Sequence, residues 1–267
     1  MSADATILTS MDARGVAILR FNRPDKANSY DQYMLDALAA WIEQCRDDAA
    51  VRVLLLRGEG KHFSAGAAIA EPDEARSVAD VARRRIAGVG IADVCASLDA
   101  IPKPTIAAVQ GACIGGALAL ACCCDVVIAG RDASFAIPEV RLGFAPGPLI
   151  PFFLRALGYR VLRRYLLSGE RFLAQEAHRI GLVHELCETD ALDQRAEAMI
   201  DEMLMAAPGA VARAKQVLRA QVTPAISADA LRKLQVAFKA AARSDEAAEG
   251  RRSFKEKRKP SWYRGRE

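Results

Sequence analysis

At 267 residues the chain is long enough for one large domain or two small ones, with an ample core. About half of its residues are apolar and a quarter charged, the balance of an ordinary soluble protein, and a formal net charge of +4 is too weak to argue for a nucleic-acid surface. Seven cysteines, an odd number in a long chain, fit a reducing compartment, and the N-terminal residues lack the basic start and apolar run of a secretory signal.

Residues 6–10 and 16–21 alternate or are β-branched and flank Asp12-Ala13-Arg14-Gly15, which predicts a β-hairpin. Asn22 to Asn28 is a loop with Pro24 and two asparagines as breakers. A helix is expected from Ser29, with Gln32 completing a capping box. Met34, Leu35, Leu38, Trp41, Ile42 and Cys45 then keep one-face helical spacing. Residues 51–57 (VRVLLLR) are a near-continuous β run, which predicts a central strand covered on both faces. After Gly58-Glu59-Gly60, residues 61–69 form a loop of small residues where backbone can approach a ligand. Residues 72–98 carry a helical charge pattern with Arg83, Arg84 and Arg85 in a row.

Ile101-Pro102-Lys103-Pro104 breaks the chain before its most distinctive stretch, PTIAAVQGACIGGALALACCCD over 104–125. A β-like run (105–109) meets Gly111, Gly115 and Gly116 and opens into a run of Ala, Leu and Cys that suits a buried helix. Such a turn leaves N–H groups unpaired at the helix start and admits a ligand close to backbone. It stabilises negative charge, and Gly116 N–H reads as half of an oxyanion hole. The glycines and Gln110 interrupt any membrane span. No lysine follows Gly116 as a P-loop requires, and Gly-x-Gly-x-x-Gly is absent.

Residues 125–129 and 134–137 are two further short strands. Pro138 to Pro148 then places a carboxylate, Glu139, between apolar neighbours ahead of a rigid Gly/Pro loop. From Phe152 onward the chain reads mostly as helices, over 160–167, 174–180, 190–207, 208–221 and 227–243, with one strand at 182–186. Repeated strand-strand-helix units followed by helices predict an α+β fold. Cys122, Cys123 and Cys124 point in different directions on one helix and read as buried small residues rather than as metal ligands. His62, His178 and His184 lack metal spacing or a nucleophile partner, which argues against a hydrolase triad.

The order FNRPDKANSYD, FSAGAAI, AVQGACIGGALALACCCD, SFAIPEVRLGFAPG, LLSGERFLAQEAHRIGLVHEL and FKEKRKP resembles the enoyl-CoA hydratase/isomerase (crotonase) family across nearly the whole chain. The resemblance implies an α+β crotonase-like spiral of ββα repeats. Its core with the active site would cover 1–200, and a helical C-terminal trimerisation region 201–267. It implies a homotrimer or a hexamer built as a dimer of trimers, in the cytoplasm, acting on an acyl-CoA thioester. No separate cofactor is expected, since coenzyme A is part of the substrate, and no metal, nucleic acid or membrane partner.

By the same resemblance the backbone N–H groups of Ala67 and Gly116 hold the thioester oxygen. Lys26, Ala27, Ala65 and Ala67 contact CoA, and Phe254 and Lys257 reach the CoA of a neighbouring subunit. Residues 255–259 read equally as a solvated basic tail. Glu139 matches the second carboxylate of the family's hydratases and is expected to be buried with a raised pKa. The first carboxylate position carries Ala119, and Ala68 stands where an Asp often follows the oxyanion loop. A single carboxylate fits the family's double-bond isomerases. The run from Pro146 to Phe152 resembles a bacterial methylglutaconyl-CoA hydratase-like subgroup, which points to hydration with Glu139 alone. Ile69, Ile137, Phe144, Pro146 and Phe152 are candidate walls of the acyl pocket, and one of Arg83 to Arg85 is a candidate partner for a distal carboxylate. The competing readings are a crotonase-fold protein that has lost hydratase chemistry and binds acyl-CoA or a partner, favoured by Ala119 and Ala68, and nucleic-acid binding through the basic tail.

Overall fold

The hairpin expected at the N-terminus forms from β1 (Ile7–Met11) and β2 (Val16–Phe21), joined by a turn in which Asp12 accepts from the N–H groups of Arg14 and Val16. The structure is a computed structural model and describes residues 5–68, 89–221 and 227–262. The next strands are β3 (Val53–Gly58), β4 (Thr105–Val109) and β5 (Ala112–Ile114). They are followed by β6 (Val126–Gly130), β7 (Ser134–Ala136), β8 (Phe172–Leu173) and β9 (Glu185–Cys187). One sheet runs β1-β2-β3-β4-β6-β9, parallel except for the hairpin, and a smaller one runs β5-β7-β8. The chain repeatedly lays a long strand in the first sheet, steps to the second layer, and then enters a helix.

The helices are α1 (Gln32–Asp47), α2 (Ile91–Ala100), α3 (Gly116–Cys123) and α4 (Ile150–Ser168). Then come α5 (Ala174–Arg179), α6 (Leu192–Met205), α7 (Pro208–Gln221), α8 (Ala228–Ala241) and α9 (Asp245–Lys255). The fold is thus mixed helix and sheet with a helical C-terminal region. The central-strand reading of residues 51–57 holds. Leu54 and Leu56 face the main core, while Val53 and Leu55 pack on the other face against Leu192, Ala196 and Ile200 of α6. All six apolar residues predicted for α1 are buried, which contributes on the order of 10 kcal/mol relative to an extended unfolded chain.

Several boundaries differ from the sequence-based expectation. Asp31, not Ser29, caps α1, accepting from Met34 N at 3.0 Å. The intervening Tyr30 is held extended by pairing with Ala67, so the helix cannot begin at Ser29. Helix α4 starts at Ile150 rather than residue 160. Pro151 falls in its first turn, where a missing N–H is tolerated, and Gly158 leaves helical geometry inside it (φ 71, ψ 163). The strand expected at 182–186 forms at Glu185–Cys187. Helix α9 was not anticipated, because its residues are densely charged. Ser244 caps it, accepting from Ala247 N, and Glu249 anchors it by accepting from Arg258, Arg252 and the Ser261 N–H. The helix expected over 72–98 lies mostly outside the described residues; its last part is α2.

No described helix is long and apolar enough to cross a membrane. Among the described residues no cluster of metal-binding side chains occurs. Burial pushes the thiols of Cys122, Cys123 and Cys124 well above the ordinary range, as expected of unreactive core residues. His62 and His184 accept backbone N–H groups on Nδ1, from Ala112 and Val127 respectively.

Candidate active site

The second-layer strands form a ladder that sets the site. Ser64 bridges Cys113, and Cys113 pairs with Phe135. Three residues beyond Ser64 is Ala67, three beyond Cys113 is Gly116, and four beyond Phe135 is Glu139. Successive turns of the chain therefore deliver the three groups singled out in the sequence from neighbouring rungs.

Gly116 is the first residue of α3, so its N–H has no intrahelical acceptor. Gly115 precedes it with φ 57 and ψ −122, a backbone region essentially confined to glycine, and its N–H donates to Ala136 O. Ala67 is exposed and bridges Tyr30 in parallel. Tyr30 N–H donates to Gly66 O, and Ala68 N–H donates to Tyr30 O. In that geometry a residue bonds to the two neighbours of its partner, which leaves the N–H of Ala67 facing away from Tyr30. A Cβ built on Gly66 would stand 4.0 Å from Gly116 N, so the two loops lie side by side.

Glu139 sits in the short 3₁₀ turn Pro138–Leu142. Its Oε1 approaches the α-carbon of Gly115, and a Cβ there would be 2.8 Å away. Its Oε2 is buried without a hydrogen-bond partner among the described residues. Desolvation pushes the carboxyl up to about 7, opposed only by its own backbone N–H. The neighbouring Arg141 donates to Ser168 O at 2.8 Å. The residue at 119 is a fully buried alanine.

The loop carrying Lys26 and Ala27 is tied to the loop carrying Ala65 and Ala67 through buried Asn28. Its side chain accepts from Arg23 N and donates to Glu59 O and His62 O, at 2.7–2.9 Å. Ser64 Oγ donates to Asn28 O, and Ala65 N–H donates to Ala27 O. Lys26 is exposed beside this joint.

The candidate wall residues are dispersed. Ile137 and Phe152 are buried in the main core, and Pro146 is buried at the head of the next 3₁₀ turn. Phe144 packs edge-on against Phe238 of α8 and lines a cavity of about 440 Å³ with Ala241, Glu246 and Trp262. Ile69 and Arg83 to Arg85 lie outside the described residues. Phe254, in the last turn of α9, is 62% exposed, and Lys257, just beyond the helix, is exposed.

Sequence reasoning did not single out Tyr30 or Ile91. The Tyr30 hydroxyl and Ile91 Cγ1 would stand 2.0 Å and 3.0 Å from a Cβ on Gly116. An aromatic residue between the polar Asn28-Ser29 and Asp31 was the available signal for Tyr30. Ile91 had none.

A family model described as Enoyl-CoA hydratase/isomerase matches residues 12–265. The 2,3-dehydroadipyl-CoA hydratase of Escherichia coli (strain K12) is 32% identical over 255 residues, covering 94% of this chain and 96% of that protein. A probable enoyl-CoA hydratase of Bacillus subtilis (strain 168) is 32% identical over 253 residues, covering 92% and 95%. Among solved structures, an enoyl-CoA hydratase from Mycobacterium avium is 32% identical with a TM-score of 0.82, covering 97% of this chain and 100% of its own. Another from Shewanella pealeana is 34% identical with a TM-score of 0.74, covering 97% and 96%.

Proposed function

The chain belongs to the enoyl-CoA hydratase/isomerase family, and on that premise we propose that it hydrates the double bond of an enoyl-CoA thioester, with Glu139 as the acid/base and the N–H groups of Ala67 and Gly116 holding the enolate oxygen. The observation that carries this reading is Glu139 itself: a carboxylate oxygen buried without a partner among the described residues, beside a helix N-terminus built from two glycines. A carboxyl poised at about 7 can both take and return a proton near neutral pH.

Glu139 removes a proton from water as the water oxygen bonds to the β-carbon, and the electron pair of the double bond moves to the thioester oxygen. Two preorganised backbone donors stabilise that charge, each worth about 3 kcal/mol of barrier. The enolate then collapses and takes the proton from Glu139 onto the α-carbon. One water has been added and the carboxylate is restored. Lys26, Ala27 and Ala65 line the proposed CoA path at the Asn28 joint.

A homotrimer or hexamer belongs to the same proposal. Val217 and Leu218 of α7 and Val236 of α8 are more than half exposed in the single chain and are candidates for cover by a second copy, and Phe254 and Lys257 are the residues proposed to reach a neighbour's CoA. The methylglutaconyl-like subgroup rests on the Pro146 to Phe152 motif. Isomerisation is the second reading, favoured by Ala119, since one carboxylate suffices to move a proton between two carbons.

A panel of enoyl-CoA thioesters in heavy-oxygen water, read by mass spectrometry for wild type and Glu139→Gln, tests these readings. Hydration predicts label in the wild-type product and none in the variant, and the best substrate assigns the acyl group. A shifted double bond without label replaces hydration by isomerisation. Binding without change to any thioester overturns both.

A further inference from the structure

The proposed hydratase has one carboxylate where the family's two-carboxylate members have a pair, and the structure places a different proton-bearing group beside that gap. The Tyr30 hydroxyl occupies the space a side chain on Gly116 would need: a Cβ there would stand 2.0 Å from Oη and 2.9 Å from Cζ. Gly116 and Ala119 are three apart on α3 and share a face of the helix. The phenol thus lies at the head of the face on which the carboxylate is missing.

The backbone of Tyr30 already clamps Ala67, so this one residue touches the loops of both proposed oxyanion donors. Among the described residues, no acceptor receives a hydrogen bond from its hydroxyl, although the residue is only 9% exposed. Burial and the nearby Glu139 carboxylate raise the pKa of the phenol. It therefore keeps its proton and has an O–H to donate, whereas Glu139 can act as base.

Resting on the hydratase reading above, we propose that Tyr30 is a catalytic residue whose hydroxyl is the third hydrogen-bond donor to the thioester oxygen held at Ala67 and Gly116. It places a neutral donor, rather than a second carboxylate, near Glu139, whose Oε1 lies against the adjacent Gly115. As charge develops on the thioester oxygen the Tyr30 hydrogen bond strengthens, with no proton transferred from the phenol.

The test is Tyr30→Phe, which keeps the ring and removes one oxygen. Three quantities are compared with wild type: kcat and KM on the best enoyl-CoA, the absorbance shift of a bound dimethylaminocinnamoyl-CoA, and the thermal midpoint. That chromophore reddens as its carbonyl is polarised, so its shift reports donors at the oxygen without requiring turnover. The expected result is a kcat lower by about 10²-fold, a KM little changed, a smaller red shift and an unchanged midpoint. Equal kcat and equal red shift in the variant overturn the proposal and leave Tyr30 a packing residue. If Tyr30→Phe does not fold, 3-fluorotyrosine at position 30 replaces it. A more acidic phenol is expected to deepen the red shift, and an unchanged shift overturns the proposal. A wild-type protein that neither binds the chromophore nor turns over any thioester refutes the hydratase reading and this inference with it. An active wild type with an unaltered variant refutes this inference alone.

Discussion

The Oε1 atom of Glu139 rests against the α-carbon of Gly115, where a Cβ would lie 2.8 Å from it. The carboxylate and the turn that frees Gly116 N–H are therefore one packed unit. On the proposed reading they place the base and the oxyanion donor at a fixed separation, and that separation can be perturbed from either side.

Gly115→Ala perturbs it from the backbone side. The residue has φ 57 and ψ −122, a strain for alanine of about 1–3 kcal/mol, and the new methyl group displaces Glu139. A displacement of this kind lowers kcat by about 10²-fold. Denaturant unfolding is expected to show the stability loss, and steady-state hydration the loss of rate.

Glu139→Gln perturbs it from the side-chain side while keeping size and polarity. Hydration is expected to fall by about 10²- to 10⁴-fold, with acyl-CoA affinity retained. Calorimetric binding of a saturated acyl-CoA beside the rate measurement separates these effects. Loss of both together would mean that Glu139 shapes the pocket rather than serving as the base.

The pH dependence has opposite signs for rate and for stability. The working base is the ionised carboxylate, so kcat is expected to rise with pH through about 7 and then level off. The native pKa lies above the ordinary 4.5. Between those two values the folded protein binds more protons than the unfolded chain, so stability falls as pH rises, by at most about 3 kcal/mol. Below that window no cost is present, and above it the full cost remains. Glu139→Gln removes this component. Its advantage over wild type in unfolding free energy should grow from pH 4.5 to 7.5 and be absent at the acidic end.

Asn28→Ala tests the joint between the two proposed CoA-binding loops. The side chain is fully buried, makes three hydrogen bonds to backbone, and the residue has φ 54. Its removal leaves partly buried backbone groups of Arg23, Glu59 and His62 without this partner and places alanine in the left-handed region, at a cost of about 2–4 kcal/mol. Urea unfolding is expected to show this loss. Weaker CoA binding without any change in stability would contradict the role assigned to Asn28.

How much was legible in the sequence follows from how local each signal is. The glycine-rich turn at Gly115-Gly116 announces itself because a strand and a helix meet there with no room for side chains. Glu139 stands out as a carboxylate among apolar neighbours. The six-residue stripe of α1 needs only helical periodicity. Tyr30 escapes notice because its role arises from a bridge to Ala67, 37 positions away, and from contact with Gly116, 86 away. The same bridge displaces the cap of α1 from Ser29 to Asp31. Helix α9 is hidden because its stability comes from Ser244 and from the Glu249 contacts with Arg252, Arg258 and Ser261, not from an apolar stripe.

The ladder through Ser64, Cys113 and Phe135 also bears on how such a protein can diversify. A residue inserted between any rung and the group three or four positions beyond it would shift that group against the other two. Length changes within 64–67, 113–116 and 135–139 are therefore excluded for as long as the chemistry is kept. Apart from Ile137, which lies within 135–139, the described candidate wall residues of the proposed site, Phe144, Pro146 and Phe152, fall outside these segments. A lineage can exchange those side chains one at a time and acquire new acyl groups, while the reacting centre is inherited with its spacing unchanged.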